Sequence, residues 1–293
     1  VGYRNTRGVL EEAKEEDGKN PFKVLTSRPL LHIKVSELDN DFGQNWALAF
    51  KLTEIEKNIV DKINKSSIPL NCVFPETSQG IIAYDKLKGQ SEEIIKSRAF
   101  HSSEYKEGYK KWLKGEDIRK YSVKWNKTEY VNYCDGLANP RQPKFFLGKR
   151  LLVREITNPS IYAAITTEEL YHDPSIIVIL DNSKYPLEIV CGILNSKLGA
   201  FYHFNFSPKA TKGVFPKILI SDIKNFPLPA LETQEKKDIA KTLVNKVIEL
   251  TNGKKSGTID DDKITSMEKE IDGLVCKLYG MDQKETDYIV ENT

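Results

Sequence analysis

The sequence predicts an α+β protein with a mixed, mainly antiparallel sheet and a C-terminal antiparallel helical hairpin. Three observations predict it. Residues 70–230 are short apolar or alternating runs separated by Gly, Pro, Asn and Asp, without the regular strand–helix alternation of a parallel sheet. One strongly apolar helical run, Leu187 to Phe201, interrupts them. After Pro227-Leu228-Pro229 two amphipathic stripes follow, joined by a short polar loop, which is the pattern of a helical hairpin.

Residues 1–45 form a leading segment of mixed texture. The charged run Glu11 to Lys19, broken by Gly18, reads as a loop or short exposed helix, and Leu30-Leu31-His32-Ile33-Lys34-Val35 as a strand. Trp46 to Ile68 reads as an amphipathic helix, with Trp46, Phe50, Ile55, Ile59, Val60 and Ile63 at helical spacing, ended by Pro69. Strands are expected over Gly80–Tyr84, Glu129–Tyr133, Lys149–Ile156, Ile161–Ile165 and Ser175–Leu180. The helix from Leu187 to Phe201 is apolar on most sides and therefore buried. Thr233 opens the first hairpin helix, striped by Ile239, Leu243, Val247 and Leu250 and stopped by Asn252-Gly253. Thr258 or Asp260 opens the second, striped by Ile264, Met267, Ile271, Leu274, Val275 and Leu278 and ended by Gly280. This organises the chain as a leading segment 1–45, a main domain 46–230 and a hairpin 231–293.

The 293 residues are 39% hydrophobic and 29% charged, which supports a packed core and excludes a mainly disordered chain. No apolar run approaches the roughly 20 residues of a membrane span. The four cysteines (Cys72, Cys134, Cys191, Cys276) and four histidines are scattered without CxxC spacing, so free thiols in a reducing cytoplasm are expected and a zinc site is not. The chain starts at Val1-Gly2 without Met or a signal peptide and is read as a piece of a longer protein. Its net charge of +2 conceals an asymmetry. Residues 86–150 carry 16 Lys/Arg against 8 Asp/Glu, and residues 231–293 carry 10 against 14. A basic middle followed by an acidic tail suits contact between one part of the chain and a polyanion.

Catalytic motifs are missing. The sequence lacks GxxxxGK[ST], GxGxxG, GxSxG and HExxH, and has no EF-hand loop. Asp260-Asp261-Asp262 stands at a helix start, where carboxylates complement the helix dipole. None of Asn20-Pro21-Phe22, Asn139-Pro140-Arg141 and Asn158-Pro159-Ser160 is the Asn-Pro-Pro-aromatic loop of a DNA-amino methyltransferase. The expectation is a chain without a catalytic centre or a metal.

Two segments have the chemistry of phosphate or base readers. Ser207-Pro208-Lys209-Ala210-Thr211-Lys212-Gly213 offers lysines and a hydroxyl on a loop. Pro75-Glu76-Thr77-Ser78-Gln79-Gly80 ends in a glutamine, able to pair with adenine, beside a glycine that permits close backbone approach. An ordinary solvated turn is the competing reading of each. The interleaving of Tyr105-Lys106, Tyr109-Lys110-Lys111-Trp112, Arg119-Lys120-Tyr121 and Lys124-Trp125 suits a nucleic-acid backbone, and equally a half-buried scaffold with snorkelling lysines.

The order of motifs resembles a known family. Gln79-Gly80-Ile81 with Tyr84-Asp85 is followed by Lys114-Gly115-Glu116-Asp117-Ile118-Arg119-Lys120-Tyr121 and Trp125. Then come Gly148-Lys149-Arg150-Leu151-Leu152-Val153-Arg154-Glu155, Leu187 to Leu198 with Asn195-Ser196-Lys197, Phe215-Pro216-Lys217-Ile218 and Phe226-Pro227-Leu228-Pro229. With the tail Ile271 to Met281, this resembles the TaqI-like C-terminal specificity domain of type IIG restriction-modification enzymes and related adenine-specific DNA methyltransferases, over residues 46–290. The resemblance implies a target recognition domain that reads duplex DNA beside a separate methyltransferase domain. That domain, with its S-adenosylmethionine, would lie upstream of residue 1, and residues 1–45 would be its trailing edge or linker. It also implies structural roles: Gly115, Asp117 and Tyr121 fix a turn and pack a core, and Asn195 ends or caps a helix. Base readers vary with the target and do not transfer. Those expected here are basic, hydroxyl or amide side chains near the two loops: Thr77, Ser78, Gln79, Lys86, Lys88, Arg141, Lys144, Lys209, Thr211 and Lys212. The alternative function is a protein-interaction scaffold subunit of a DNA-defence complex.

Overall fold

The computed structural model describes residues 2–4, 9–15, 20–32, 52–157, 159–182, 184–206 and 216–293. The chain divides into two units, Val1–Lys62 and Ile63–Thr293. In the first, the antiparallel pair Gly2–Tyr3 and Leu31–His32 accompanies helices Val9–Glu15 and Pro21–Ser27, with Val9, Ala13 and Val24 as a small core. The second helix starts where the sequence permits it. Asn20 Oδ1 accepts from Phe22 N at 2.9 Å, and Pro21 takes the first helical position.

The helix expected from Trp46 begins instead at Glu54 and ends at Lys65, residues 46–51 lying outside the described residues. A capping box sets its start. Thr53 N donates to Glu56 Oε2 at 2.7 Å and Glu56 N to Thr53 Oγ1 at 3.5 Å.

The core of the second unit is a four-stranded antiparallel sheet in the order Ala163–Thr166, Arg150–Arg154, Ile176–Leu180, Thr77–Gln79. Leu152 pairs with Ala164 on one side and Val178 on the other, and Leu151, Leu152 and Val153 are fully buried. All nine residues of helix Leu187–Asn195 are buried. Gly192 lets the hairpin come close: a Cβ there would stand 3.1 Å from Leu243 Cδ1 and 3.2 Å from Val247 Cγ2. A second set of short strands runs Tyr171–His172, Lys110–Leu113, Tyr130–Val131, His101–Ser102. It contains the one parallel pairing among the described strands, Tyr171 with Trp112.

The hairpin helices are Gln234–Ser256, capped by Thr233, and Asp261–Leu278, capped by Asp260. The first passes through Gly253 and stops at Gly257, whose φ is 68°. Gly253 is glycine for another reason: a Cβ there would fall 2.6 Å from Ile259 Cδ1. A third helix, Gln283–Glu291, follows on an Asp282–Glu285 capping box that the sequence analysis overlooks.

Two further corrections concern continuity. The run from Leu187 is two helices, Leu187–Asn195 and Lys197–Phe206, separated by an extended Ser196 whose Oγ accepts from Gly199 N at 3.0 Å. Gly80–Tyr84 is not a strand but a relay with one bridge, Ile82 to Asn139. Its backbone changes partners along its length: Gly80 N donates to Ile176 O, Ile81 N to His172 O and Ile82 N to Asn139 O. The strand Pro227–Pro229 pairs with Ser67–Pro69, and buried Tyr279 and Tyr185 donate to the carbonyls of Pro227 (2.6 Å) and Pro229 (3.2 Å).

Candidate nucleic-acid interface

Segment 75–80, expected as a loop, is largely the edge strand Thr77–Gln79 of the central sheet, with Ile179, Val178 and Ile177 opposite Thr77, Ser78 and Gln79. Pairing accounts for two of its side chains. Thr77 is buried and donates to Phe74 O at 3.1 Å, and Ser78 Oγ donates to Gln79 O at 3.0 Å. The half-buried Gln79 carboxamide makes no hydrogen bond among the described residues.

Beside this edge lies a cavity of about 530 Å³ lined by Pro75 to Ser78, Asn139 to Gln142, Lys144 and Phe145. Four of the ten expected site residues meet there: Thr77, Ser78, Arg141 and Lys144. Arg141 sits in the left-handed region (φ 61°), its carbonyl accepting from Tyr133 Oη at 2.7 Å and its Nε donating to Gly80 O at 3.2 Å. No carboxylate pairs with its guanidinium among the described residues. Lys144, by contrast, is ion-paired with Glu76 and lies over the Phe145 ring. Asn139, Gln142 and Glu76 were not among the expected readers. The signal for Asn139 is the turn composition of Asn139-Pro140-Arg141, which a search for an Asn-Pro-Pro-aromatic loop passes over.

Lys86 and Lys88 stand apart from the cavity on a 3₁₀ turn, Lys86–Lys88, closed by Gly89 at φ 85°. Asp85 Oδ1 accepts from Leu87 N at 2.8 Å, and Gln90 braces the turn by donating to the carbonyls of Ala83 (3.0 Å) and Gly136 (2.8 Å). Lys86 pairs with Glu92 at 2.8 Å, which holds the Glu92 carboxyl below its usual range. Lys88 is exposed and without an ion pair among the described residues. Lys209, Thr211 and Lys212 lie outside the described residues.

The motif residues point inward. Gly115 to Asp117 form a 3₁₀ turn in which Asp117 Oδ2 accepts from Lys114 N at 2.8 Å, and Tyr121, at φ 61°, is buried. Arg150 is fully buried and donates to the carbonyls of Gly148 (2.8 Å), Glu168 (2.8 Å) and Leu170 (3.1 Å). Burial lowers its pKa to about 10. Asn195, expected to end or cap a helix, ends one and also clasps the sheet. Its Oδ1 accepts from Ala163 N at 2.9 Å, and its Nδ2 donates to Ala163 O at 2.8 Å and Cys191 O at 3.0 Å. Gly80 admits close backbone approach, but from the chain itself: a Cβ there would lie 2.0 Å from Asp173 O. Part of the basic segment is also turned inward, since burial holds the Lys120 ammonium below its ordinary range against the pull of Glu268 and Asp272.

Among the described residues, no group of three or more His, Cys, Asp or Glu is arranged to hold a metal ion, and no helix is long and apolar enough to cross a membrane.

Comparison with curated proteins returns no match. Among solved structures, the chain is similar to the type IIL restriction-modification enzyme MmeI in complex with DNA, at 12% identity and a TM-score of 0.49, covering 77% of this chain and 35% of that one. It is similar to the type IIG restriction endonuclease BpuSI at 14% identity and a TM-score of 0.45, covering 94% of this chain and 38% of that one. A chain of a type I restriction-modification system follows at 13% identity and a TM-score of 0.32, covering 94% and 67%. The chain thus spans little more than a third of the length of the first two. The sequence itself, over residues 110–228, matches the family described as the TaqI-like C-terminal specificity domain. That stretch runs from just before the Lys114–Tyr121 motif to Leu228, and the likeness to the TaqI-like C-terminal specificity domain is carried by it.

Proposed function

We propose that this chain is the DNA-reading part of a site-specific adenine DNA methyltransferase or restriction-modification enzyme. It binds duplex DNA and leaves methyl transfer, with S-adenosylmethionine, to a methyltransferase domain upstream in the same polypeptide. In this reading residues 1–45 link to that domain, 46–230 recognise the target and 231–293 brace them, in the cytoplasm. The family match over residues 110–228 carries the proposal. The cavity beside the edge strand supports it chemically, because it gathers an uncompensated arginine with amide and hydroxyl side chains. Arg reads guanine and Asn or Gln reads adenine by paired hydrogen bonds, and each good pair discriminates by about 1–3 kcal/mol. The Lys209–Lys212 loop supplies phosphate contacts in the same scheme.

Fluorescence anisotropy with a labelled duplex tests this. Binding is expected at low salt, with an affinity that falls as a power of salt concentration, each neutralised phosphate adding about 0.9 to the slope. A flat salt response, or no binding, would refute DNA reading and leave the scaffold alternative. Methyl transfer by the isolated chain would refute the division of labour.

A further inference from the structure

A second cleft, of about 370 Å³, is lined by Arg98, His101, Ser102, Ser103, Lys114 and Thr128, with Glu129 at its base. One carboxylate holds two cations. Glu129 Oε1 pairs with Arg98, and Glu129 Oε2 lies 3.0 Å from Lys114 Nζ. The Glu129 side chain is only 13% exposed, whereas Arg98 and Lys114 are 52% and 42% exposed. The carboxylate therefore sits beneath the cations and fixes their spacing, while their outer faces remain open to an incoming anion. Two cations over one carboxylate leave the cleft a net positive charge.

The histidine adds a donor. Tyr84 Oη accepts from Phe100 N at 2.9 Å and lies 2.7 Å from His101 Nδ1. When the hydroxyl donates its proton to Nδ1, the ring proton sits on Nε2, and that is the tautomer the cleft would use. Burial keeps the imidazole neutral, lowering its pKa to about 4. Nε2 is enclosed and has no partner among the described residues, although a buried N–H ordinarily has one. Arg98 is itself held in the left-handed region at φ 51°, where a helix end favours glycine. The neighbouring loops carry exposed lysines without ion pairs among the described residues, Lys106 on one side and Lys124 and Lys127 on the other.

We propose that this cleft takes a phosphate of the DNA backbone, with Arg98 and Lys114 as its cations and His101 Nε2–H as a third donor. Glu129 keeps the two cations parallel before the phosphate arrives. The proposal rests on the DNA-binding reading above and adds a contact away from the edge-strand cavity, one that sets position on the duplex and does not read sequence.

The test is anisotropy of the full chain on a mixed-sequence duplex across a salt series. Arg98→Gln/Lys114→Gln is compared with Lys237→Gln/Lys241→Gln, a control that removes the same charge from the hairpin. The cleft variant is expected to lose about one unit of salt slope and on the order of tenfold in affinity at low salt, with the control close to wild type. The ¹⁵N resonance of His101 Nε2 is expected to move on adding DNA to the wild-type chain, a readout that does not depend on the variant folding. A cleft variant that is folded by circular dichroism and matches the control, or a histidine resonance that stays still, overturns the cleft and leaves DNA binding standing. A wild-type chain that does not bind DNA overturns both.

Discussion

Two regions of this chain use the same residue types for opposite purposes. In the core, polar side chains are turned on the chain's own backbone: Arg150 donates to three carbonyls and Asn195 binds the backbone of Ala163 and Cys191. Around the edge-strand cavity and the Lys86–Lys88 turn, Arg141, Gln79 and Lys88 keep donors without acidic partners among the described residues. The motifs that carry the family likeness belong mostly to the first region. Those motif residues, Gly115, Asp117, Arg150 and Asn195 among them, hold strands and turns together.

The sharpest way to break this contrast is at Gly80, which lies on the border of the two regions. In Gly80→Ala the new methyl would stand 2.0 Å from Asp173 O and 2.4 Å from His172 O, both backbone atoms. The two backbone segments must separate, at a cost of about 3 kcal/mol. That corresponds to a melting point lower by roughly 10 °C. A melting point near wild type would mean that the glycine serves the cavity and not the fold. Asn195→Ala comes next. It orphans the buried Ala163 N, while Ala163 O keeps the Tyr121 N–H at 2.9 Å, and costs about 2 kcal/mol. Chemical denaturation measures it, and DNA affinity well below the melting point is expected to stay unchanged.

The same contrast explains what the sequence conveyed. Continuous Ile, Val and Leu runs located the strands Arg150–Arg154 and Ile176–Leu180 to within two residues, and Thr233 and Asp260 marked their helix starts, because burial and capping leave local signatures. Thr77–Gln79 gave no such signature. It is a three-residue edge strand of polar residues, made a strand only by its partner Ile176–Leu180. The break at Ser196 was hidden because both flanking helices are apolar and the sole clue is one serine hydroxyl. The cavity was half legible for a related reason: Arg141 and Thr77 are 64 positions apart and meet only through the Ile82–Asn139 bridge and the Gly80 carbonyl.

A smaller effect separates the regions by pH. His172 is fully buried, its Nε2 has no protein partner, and burial lowers its pKa to about 3. Between the unfolded value near 6.5 and about 3, the unfolded chain binds one more proton here than the folded chain. Stability from this residue is therefore complete above pH 6.5 and is lost as pH falls, by up to about 1.4 kcal/mol per pH unit. His101 and His203, each lowered to about 4 by burial, act in the same direction. His172→Phe should flatten the fall between about pH 6.5 and 5, measured by denaturant titration against wild type. An unchanged slope would mean that water reaches the ring.

The smallest expected effect tests the proposed DNA contact alone. Lys86 and Lys88 flank Leu87 on one braced turn, but Lys86 is paired with Glu92 while Lys88 has no ion pair among the described residues. A cation already neutralised in the free protein must give up its carboxylate to reach a phosphate, so it contributes less to counterion release than a free one. Lys88→Gln should lower the salt slope of duplex binding by about 0.9, and Lys86→Gln by clearly less. Neither should move the melting point, since an exposed pair contributes little to stability. Adding Glu92→Gln frees Lys86 and should raise its contribution towards that of Lys88. If the two lysines behave alike with Glu92 in place, pairing is not what distinguishes spent cations from available ones. The turn would then act through its shape, with the exposed Leu87 at its tip as the remaining contact.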